Sequence, residues 1–166
     1  MTDKKTNDTS EATEATIFRL QKLYIKDISF ENPNAPACFA AQQGSQPKVE
    51  INLGLENRKL DDDNYEVTVK VTAKVTQGEE AKVLFIIEVE HCGAFTIKNI
   101  PAEHMNAVLA VDCPTMMFPY TRQIVSQMTV DGGFVPFLME PVNFLALFQN
   151  AQKQQADNQQ QQWVRT

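Results

Sequence analysis

Between Cys113 and Phe148 the chain runs for 36 residues with only three charges, Arg122, Asp131 and Glu140, and with five phenylalanines. Pro114, Pro119, Pro136 and Pro141 cut the same stretch, so it is neither one buried helix nor one strand. A segment this apolar and this interrupted serves either as an irregular core or as a surface that holds apolar chains. Nothing close to it supplies the nucleophile, base and metal ligands that chemistry would need. The stretch points toward binding and away from catalysis.

At 166 residues the chain is most simply one domain, long enough to bury a core. A formal net charge of −6 without a basic stripe argues against nucleic acid and anionic membrane surfaces as partners. No window approaches 18 consecutive apolar residues, so no membrane-spanning helix is expected. Residues 1–16 are polar and hold four acids, which reads neither as a signal peptide nor as a transit peptide. Cys38, Cys92 and Cys113 form no paired framework, which suits a reducing cytoplasm. Composition predicts disordered tails at 1–16 and in the glutamine-rich 152–166, flanking a folded domain at 17–151.

The middle of the chain alternates with period two. Val49, Ile51, Leu53 and Leu55 are interleaved with polar residues, as are Tyr65, Val67, Val69, Val71, Ala73 and Val75. Each pattern predicts an antiparallel strand with one buried face. Asp61-Asp62-Asp63-Asn64 and Gln77-Gly78-Glu79 supply the turns. A fourth strand, from about Val83 to Glu90, should bury Val83, Phe85, Ile87 and Val89, with Leu84, Ile86, Glu88 and Glu90 on the opposite face. The first strand, near Ile17 to Glu31, is irregular. Phe18 and Leu20 share one phase, Leu23 and Ile25 the other, and Ile28 and Phe30 return to the first. A bulge, or an interface on both faces, accounts for that change of phase. The loop from Asn32 to Pro47 is too long for a hairpin and should cross over the sheet.

After Pro101 the period lengthens. Met105, Val108, Leu109 and Asp112 fit a short helix ended by Cys113-Pro114, and a further helix runs from about Pro119 to Val130. Asp131-Gly132-Gly133 is a C-terminal stop, and Phe134 to Glu140 is an extended apolar connection. A last helix opens at Pro141 and Asn143, with Phe144, Leu147, Phe148 and Ala151 on one stripe. The fold class is α+β: a four-stranded antiparallel sheet with a crossover loop after strand one and two C-terminal helices packed on one face.

Chemistry finds little support. Neither G-x-x-x-x-G-K-[ST] nor G-x-G-x-x-G occurs, so no phosphate cradle is expected. His91 and His104 sit in no catalytic motif, and Cys113 reads as a small apolar packing residue before it reads as a nucleophile. The His and Cys spacings do not match zinc sites, and Asp61-Asp62-Asp63 lacks the alternation of a calcium loop. No catalytic residue, metal site or cofactor is expected. What remains is surface. Met105, Met116, Met117, Met128 and Met139 accompany the late phenylalanines, and flexible thioethers suit sites that accept many shapes. Such a stripe also fits a core, but the proline-broken run Phe134-Val135-Pro136-Phe137-Leu138-Met139 needs a cover from its own fold, another subunit or a client.

Three runs carry a family resemblance: Tyr24-Ile25-Lys26-Asp27-Ile28-Ser29-Phe30-Glu31-Asn32-Pro33-Asn34-Ala35-Pro36, Asp112-Cys113-Pro114 leading to Phe118-Pro119-Tyr120, and Asp131-Gly132-Gly133-Phe134 through Pro141-Val142-Asn143-Phe144. In this order, over about residues 17 to 150, the chain resembles the SecB family of bacterial protein-export chaperones. The resemblance implies a cytoplasmic homotetramer, a dimer of dimers, that holds unfolded precursor polypeptides without ATP and passes them to the SecA motor. It implies client grooves walled by the crossover loop and by the connection between the helices, here Phe30, Phe39, Phe134, Phe137, Leu138 and Met139. It places motor docking on the exposed sheet face, at Asp27, Glu31, Ile86 and Glu88, with any zinc on the motor's side.

One departure concerns the groove. Family members commonly carry an aromatic residue shortly before the second strand, where this chain has Gln42-Gln43-Gly44-Ser45-Gln46; Trp163 lies in the tail. Two rival readings are a dedicated chaperone of one labile partner, such as an antitoxin, and an enzyme built on Cys113 or a metal.

Overall fold

The computed structural model describes residues 14–40 and 46–164, with side chains to 156. Most of the expected N-terminal tail, through Thr13, and the run Gln42-Gln43-Gly44-Ser45 therefore lie outside the described residues. Four strands, β1 (Ile17–Glu31), β2 (Lys48–Lys59), β3 (Asn64–Gln77) and β4 (Lys82–Lys98), form one antiparallel sheet in the order β1-β4-β3-β2. β1 and β2 are thus the two edges, and the chain between them crosses the sheet, carrying the short helix α1 (Ala37–Ala40).

The change of phase in β1 has a plain origin. Its register against β4 slips between Leu20 and Lys22 and again between Ile25 and Asp27, leaving Gln21 and Lys26 as bulges. Each bulge restores the phase. Phe18, Leu20, Leu23, Ile25, Ile28 and Phe30 lie opposite Ile97, Phe95, Gly93, His91, Val89 and Ile87, so all six share the inner face. β4 is longer than the periodicity of 83–90 indicates. It continues through His91-Cys92-Gly93 to Lys98, with Phe95 and Ile97 buried. A slip between Val75 and Thr76 leaves Leu84 unpaired and buried, although strict alternation puts it on the outer face.

The helical segment after Pro101 is nearly continuous. α2 (Ala102–Ala107) passes through a π-helical turn (Val108–Asp112) into α3 (Cys113–Asp131), instead of breaking at Cys113-Pro114. The amide of Cys113 donates to the carbonyl of Val108, five residues back, and this wide turn admits Pro114 into the first turn of α3. Pro119 lies within α3. Met117, Thr121 and Val125 are fully buried along one face, over β3 and β4. Phe134 to Asn143 is irregular, and Asn143 Oδ1 accepts from the Ala146 amide at 3.0 Å, capping α4 (Phe144–Val164).

Two expectations are corrected here. α4 runs on through the glutamine-rich stretch to Val164, where composition indicates disorder; glutamine and alanine are good helix formers. Its apolar stripe is covered at Phe144, which meets Phe118 edge-on at 5.5 Å, but Leu147 is exposed. β2 differs as well. Val49 and Ile51 face the helix side yet remain 43% and 45% exposed, because α3 covers β3 and β4 and does not reach the edge strand.

Candidate functional site

The crossover loop and the α3–α4 connection meet above the inner sheet face. Phe30, at the end of β1, stacks on Phe85 of β4 at 5.7 Å and 19°. Phe134 occupies the middle, 4.9 Å from Phe85, 5.2 Å from Phe39 and 6.4 Å from Phe30, and Phe137 meets Phe85 edge-on at 6.5 Å. Each such pair contributes about 0.5–1.5 kcal/mol beyond its buried area. The crossover loop is held in place by Asn34, whose Nδ2 donates to the Val83 carbonyl at 2.9 Å and whose own carbonyl accepts from the Cys38 amide at 2.9 Å.

Two adjacent glycines allow the rings to close over α3. A Cβ on Gly132 would collide with the tip of the Phe30 ring at Cζ, and one on Gly133 would stand 3.1 Å from Phe39 Cζ, at a backbone φ of +88°. Beyond them Thr129 anchors the connection. It is fully buried; its carbonyl accepts from the Phe134 amide at 2.9 Å, and its hydroxyl accepts from the Phe137 amide at 3.0 Å while donating to the Ser126 carbonyl at 2.7 Å.

Beside the ring cluster an open groove of about 290 Å³ is lined by Pro47, Val49, Val75, Leu84, Phe134 and Phe137, among others. A neighbouring cavity of about 310 Å³, between α1 and the β3–β4 turn, shares Gln77 and Leu84 with it. Among the residues expected in the groove, Phe30, Phe39, Phe134 and Phe137 come together as one cluster. Leu138 projects into solvent at 70% exposure, and Met139 is buried in the core at 3%. Sequence reasoning misses Phe85, the hub of the cluster, because strand alternation assigns it to the core. It also misses Val49, Val75 and Leu84, and it singles out Val135, which is 82% exposed, only as part of the apolar run. The apolar face of β2 extends the groove floor along the sheet.

The opposite sheet face is polar. Register places Glu31 across from Ile86, Ser29 from Glu88, and Asp27 from Glu90, so Asp27, Glu31, Ile86 and Glu88 share one end of the outer face. Lys70 bridges Glu56 at 2.8 Å and Glu90 at 3.2 Å, which raises the lysine's pKa. Asp27, Glu31 and Glu88 have no cation partner among the described residues. Farther along, Glu66 accepts from Arg58 Nε at 2.7 Å, from Lys26 Nζ at 2.8 Å and from the Tyr24 hydroxyl. Those donors, Arg58 foremost, hold the Glu66 carboxyl down at about 2, while burial and the bond to Glu66 push Tyr24 up to about 12. The face therefore has a neutralised centre and an end where Asp27, Glu31 and Glu88 stand unpaired, with Lys74 across from Ile86 on β3.

The residues weighed for chemistry lie apart from the groove lining. Burial pushes the Cys113 thiol up to about 12, which suppresses the thiolate a nucleophile needs. His91 is buried against Thr121, and His104 is exposed on α2 beside Glu103. Among the described residues no group of three or more His, Cys, Asp or Glu side chains could hold a metal ion, and no helix is long and apolar enough to cross a membrane.

Residues 11–155 match the family model described as preprotein translocase subunit SecB. A protein-export protein SecB from Desulfotalea psychrophila is 61% identical over 140 residues, covering 84% of this chain and 89% of the relative. One from Magnetococcus marinus is 46% identical over 153 residues, covering 92% and 96%. Among solved structures, a Mycobacterium tuberculosis SecB-like chaperone in complex with a peptide from an antitoxin superposes with a TM-score of 0.58 at 15% identity, over 75% of this chain and 90% of that one.

Proposed function

The chain belongs to the SecB family of export chaperones, and on that premise we propose that it is an ATP-independent holdase: it binds unfolded precursors in the groove beside the phenylalanine cluster and delivers them to the SecA motor. One observation carries this reading. The connection at Phe134–Phe137 and the apolar face of β2 form a continuous open strip that the chain's own helices leave uncovered. Client side chains buried there gain roughly 25 cal/mol per Å² without a requirement for one sequence. Several weak subsites engaged by one long chain raise avidity by about 10² to 10⁴. Release then comes from client folding or from transfer to the motor. Phe30, Phe39, Phe134 and Phe137 form the wall, Phe85 its base, and Leu138 an exposed rim. Met139 supports the wall from the core. The working unit is a cytoplasmic homotetramer, in which further copies lengthen the groove. The motor docks on the acidic end of the outer face, at Asp27, Glu31, Ile86 and Glu88.

The dedicated-antitoxin alternative is less favoured, since identity reaches 61% with an export protein and 15% with the antitoxin-peptide-bound chaperone. Titration of an unfolded precursor into wild type and Phe137→Ala, with native mass spectrometry of both, tests the groove. The variant should bind the precursor about tenfold more weakly with an unaltered subunit number, a loss of about 1.4 kcal/mol. Equal affinity would remove the groove assignment.

A further inference from the structure

Phe134 is held by rings that its own segment does not supply. Phe30 belongs to β1, Phe39 to α1 and Phe85 to β4, and their centroids stand 6.4, 5.2 and 4.9 Å from that of Phe134 at interplanar angles of 46° to 53°. Phe30 and Phe85 stack on each other directly, and the loop that carries Phe39 is tied to Val83 by Asn34. Gly132 and Gly133 carry no Cβ to hold Phe30 and Phe39 away. The seat is therefore built without the ring that fills it.

The segment that enters this seat has the character of a captured client. From Phe134 to Glu140 it is neither helix nor strand, and among the described residues its main chain is held by two hydrogen bonds, both to Thr129. Its side chains insert and emerge in turn. Phe134 and Phe137 reach the Phe85 ring and Met139 is buried, while Val135 and Leu138 stand in solvent. The open groove begins at once beside it, with Phe134, Val135, Pro136 and Phe137 in its lining.

We propose that Phe134 is an internal stand-in for a client side chain: it fills the seat among Phe30, Phe39 and Phe85 while the groove is empty, and it yields that seat to an aromatic side chain of an unfolded polypeptide. The exchange presupposes that clients enter the groove. In the empty chaperone Phe134 stands in the wall. Rotation about its Cα–Cβ bond withdraws the ring and leaves both bonds to Thr129 in place. One aromatic ring then replaces another against the same three partners, so the ring contacts of the empty and loaded states are alike. The resident ring, tethered beside its seat, competes for re-entry at an effective concentration of about millimolar order. A bound aromatic therefore leaves without ATP. Its apparent affinity is lowered by the fraction of chaperone whose seat is closed.

Two short unstructured peptides, alike except that one phenylalanine is replaced by alanine, test the exchange when titrated into wild type and Phe134→Ala. The variant leaves the seat open, so the phenylalanine peptide should bind it about fivefold more tightly than wild type, and the alanine peptide should gain nothing. An equal gain for both peptides, or none for the phenylalanine peptide, overturns the exchange. NMR of the wild type with labelled phenylalanines gives an independent reading should Phe134→Ala fail to fold. As the phenylalanine peptide is added, ring contacts between Phe134 and Phe85 should give way to contacts between the peptide's ring and Phe85, with the Phe30–Phe85 contact retained. Phe134–Phe85 contacts that persist at saturation, in a protein whose Phe137→Ala variant binds the peptide more weakly, overturn the exchange and leave the groove standing. Equal binding by wild type and Phe137→Ala overturns both.

Discussion

Glu66 shows how one residue organises a face that sequence reads only as alternating charges. Three donors from the two edge strands converge on its buried carboxylate, and they hold its pKa at about 2. A carboxyl depressed on folding stabilises the native state above its unfolded value of about 4.5, and that contribution is lost as pH falls through about 2. The urea midpoint of the wild type should therefore decline between those limits. Glu66→Gln should start lower, because Arg58 and Lys26 lose their anion, and should decline less over the same window. A series of urea titrations from pH 6 to pH 2.5 measures both. None of this is legible in the sequence, where Glu66 looks like any polar residue of an alternating strand. Phe85 is hidden for the opposite reason: its inward phase is plain, and nothing in the strand pattern marks the one core ring on which Phe30, Phe134 and Phe137 will gather.

At the scale of elements, Thr129 joins α3 to the connection that follows. Thr129→Val keeps the shape and removes the acceptor for the Phe137 amide and the donor to the Ser126 carbonyl. Leaving a buried partner unsatisfied costs about 1–3 kcal/mol. The expected result is a lower urea midpoint together with faster exchange at the Phe137 amide, while β3 amides keep their protection. The strands themselves are legible because β2 and β3 alternate without a slip. β1 is legible only as an irregularity, since one residue of register decides which face every side chain takes, and Gln21 and Lys26 carry no signature of a bulge. The continuous helix over Pro114 escapes sequence reasoning because proline marks a break in most contexts, whereas here a π-helical turn upstream makes room for it. The full length of α4 escapes it for a similar reason, as polarity suggests disorder in a stretch whose residues favour helix.

For the molecule as a whole, the sheet separates two surfaces of opposite character. Its inner side exposes Ile25 and Ile28 on the β1 edge, away from the groove, more apolar edge than a solitary domain has reason to display, which agrees with the tetramer proposed above. Its outer side ends in Asp27, Glu31 and Glu88 around Ile86, a pattern suited to a basic partner with an apolar contact at its centre. If the motor docks there, Glu88→Lys reverses one charge in the middle of the patch and brings it against the partner's own cations. Binding to the motor should weaken by about 10- to 100-fold, or about 1.4–2.8 kcal/mol. Added salt should reduce the gap between wild type and variant, because exposed charges are screened within about 8 Å at physiological ionic strength. Client affinity should stay within about twofold, since the groove lies on the far side of the sheet and shares no side chain with this patch. Calorimetric titrations of each variant with motor and with unfolded precursor separate the two effects. A parallel loss of both would mean that the outer face acts through the fold and is not a docking surface. Loss of motor binding alone would place delivery and capture on opposite faces of one sheet, so that a loaded chaperone can engage the motor without first releasing its client.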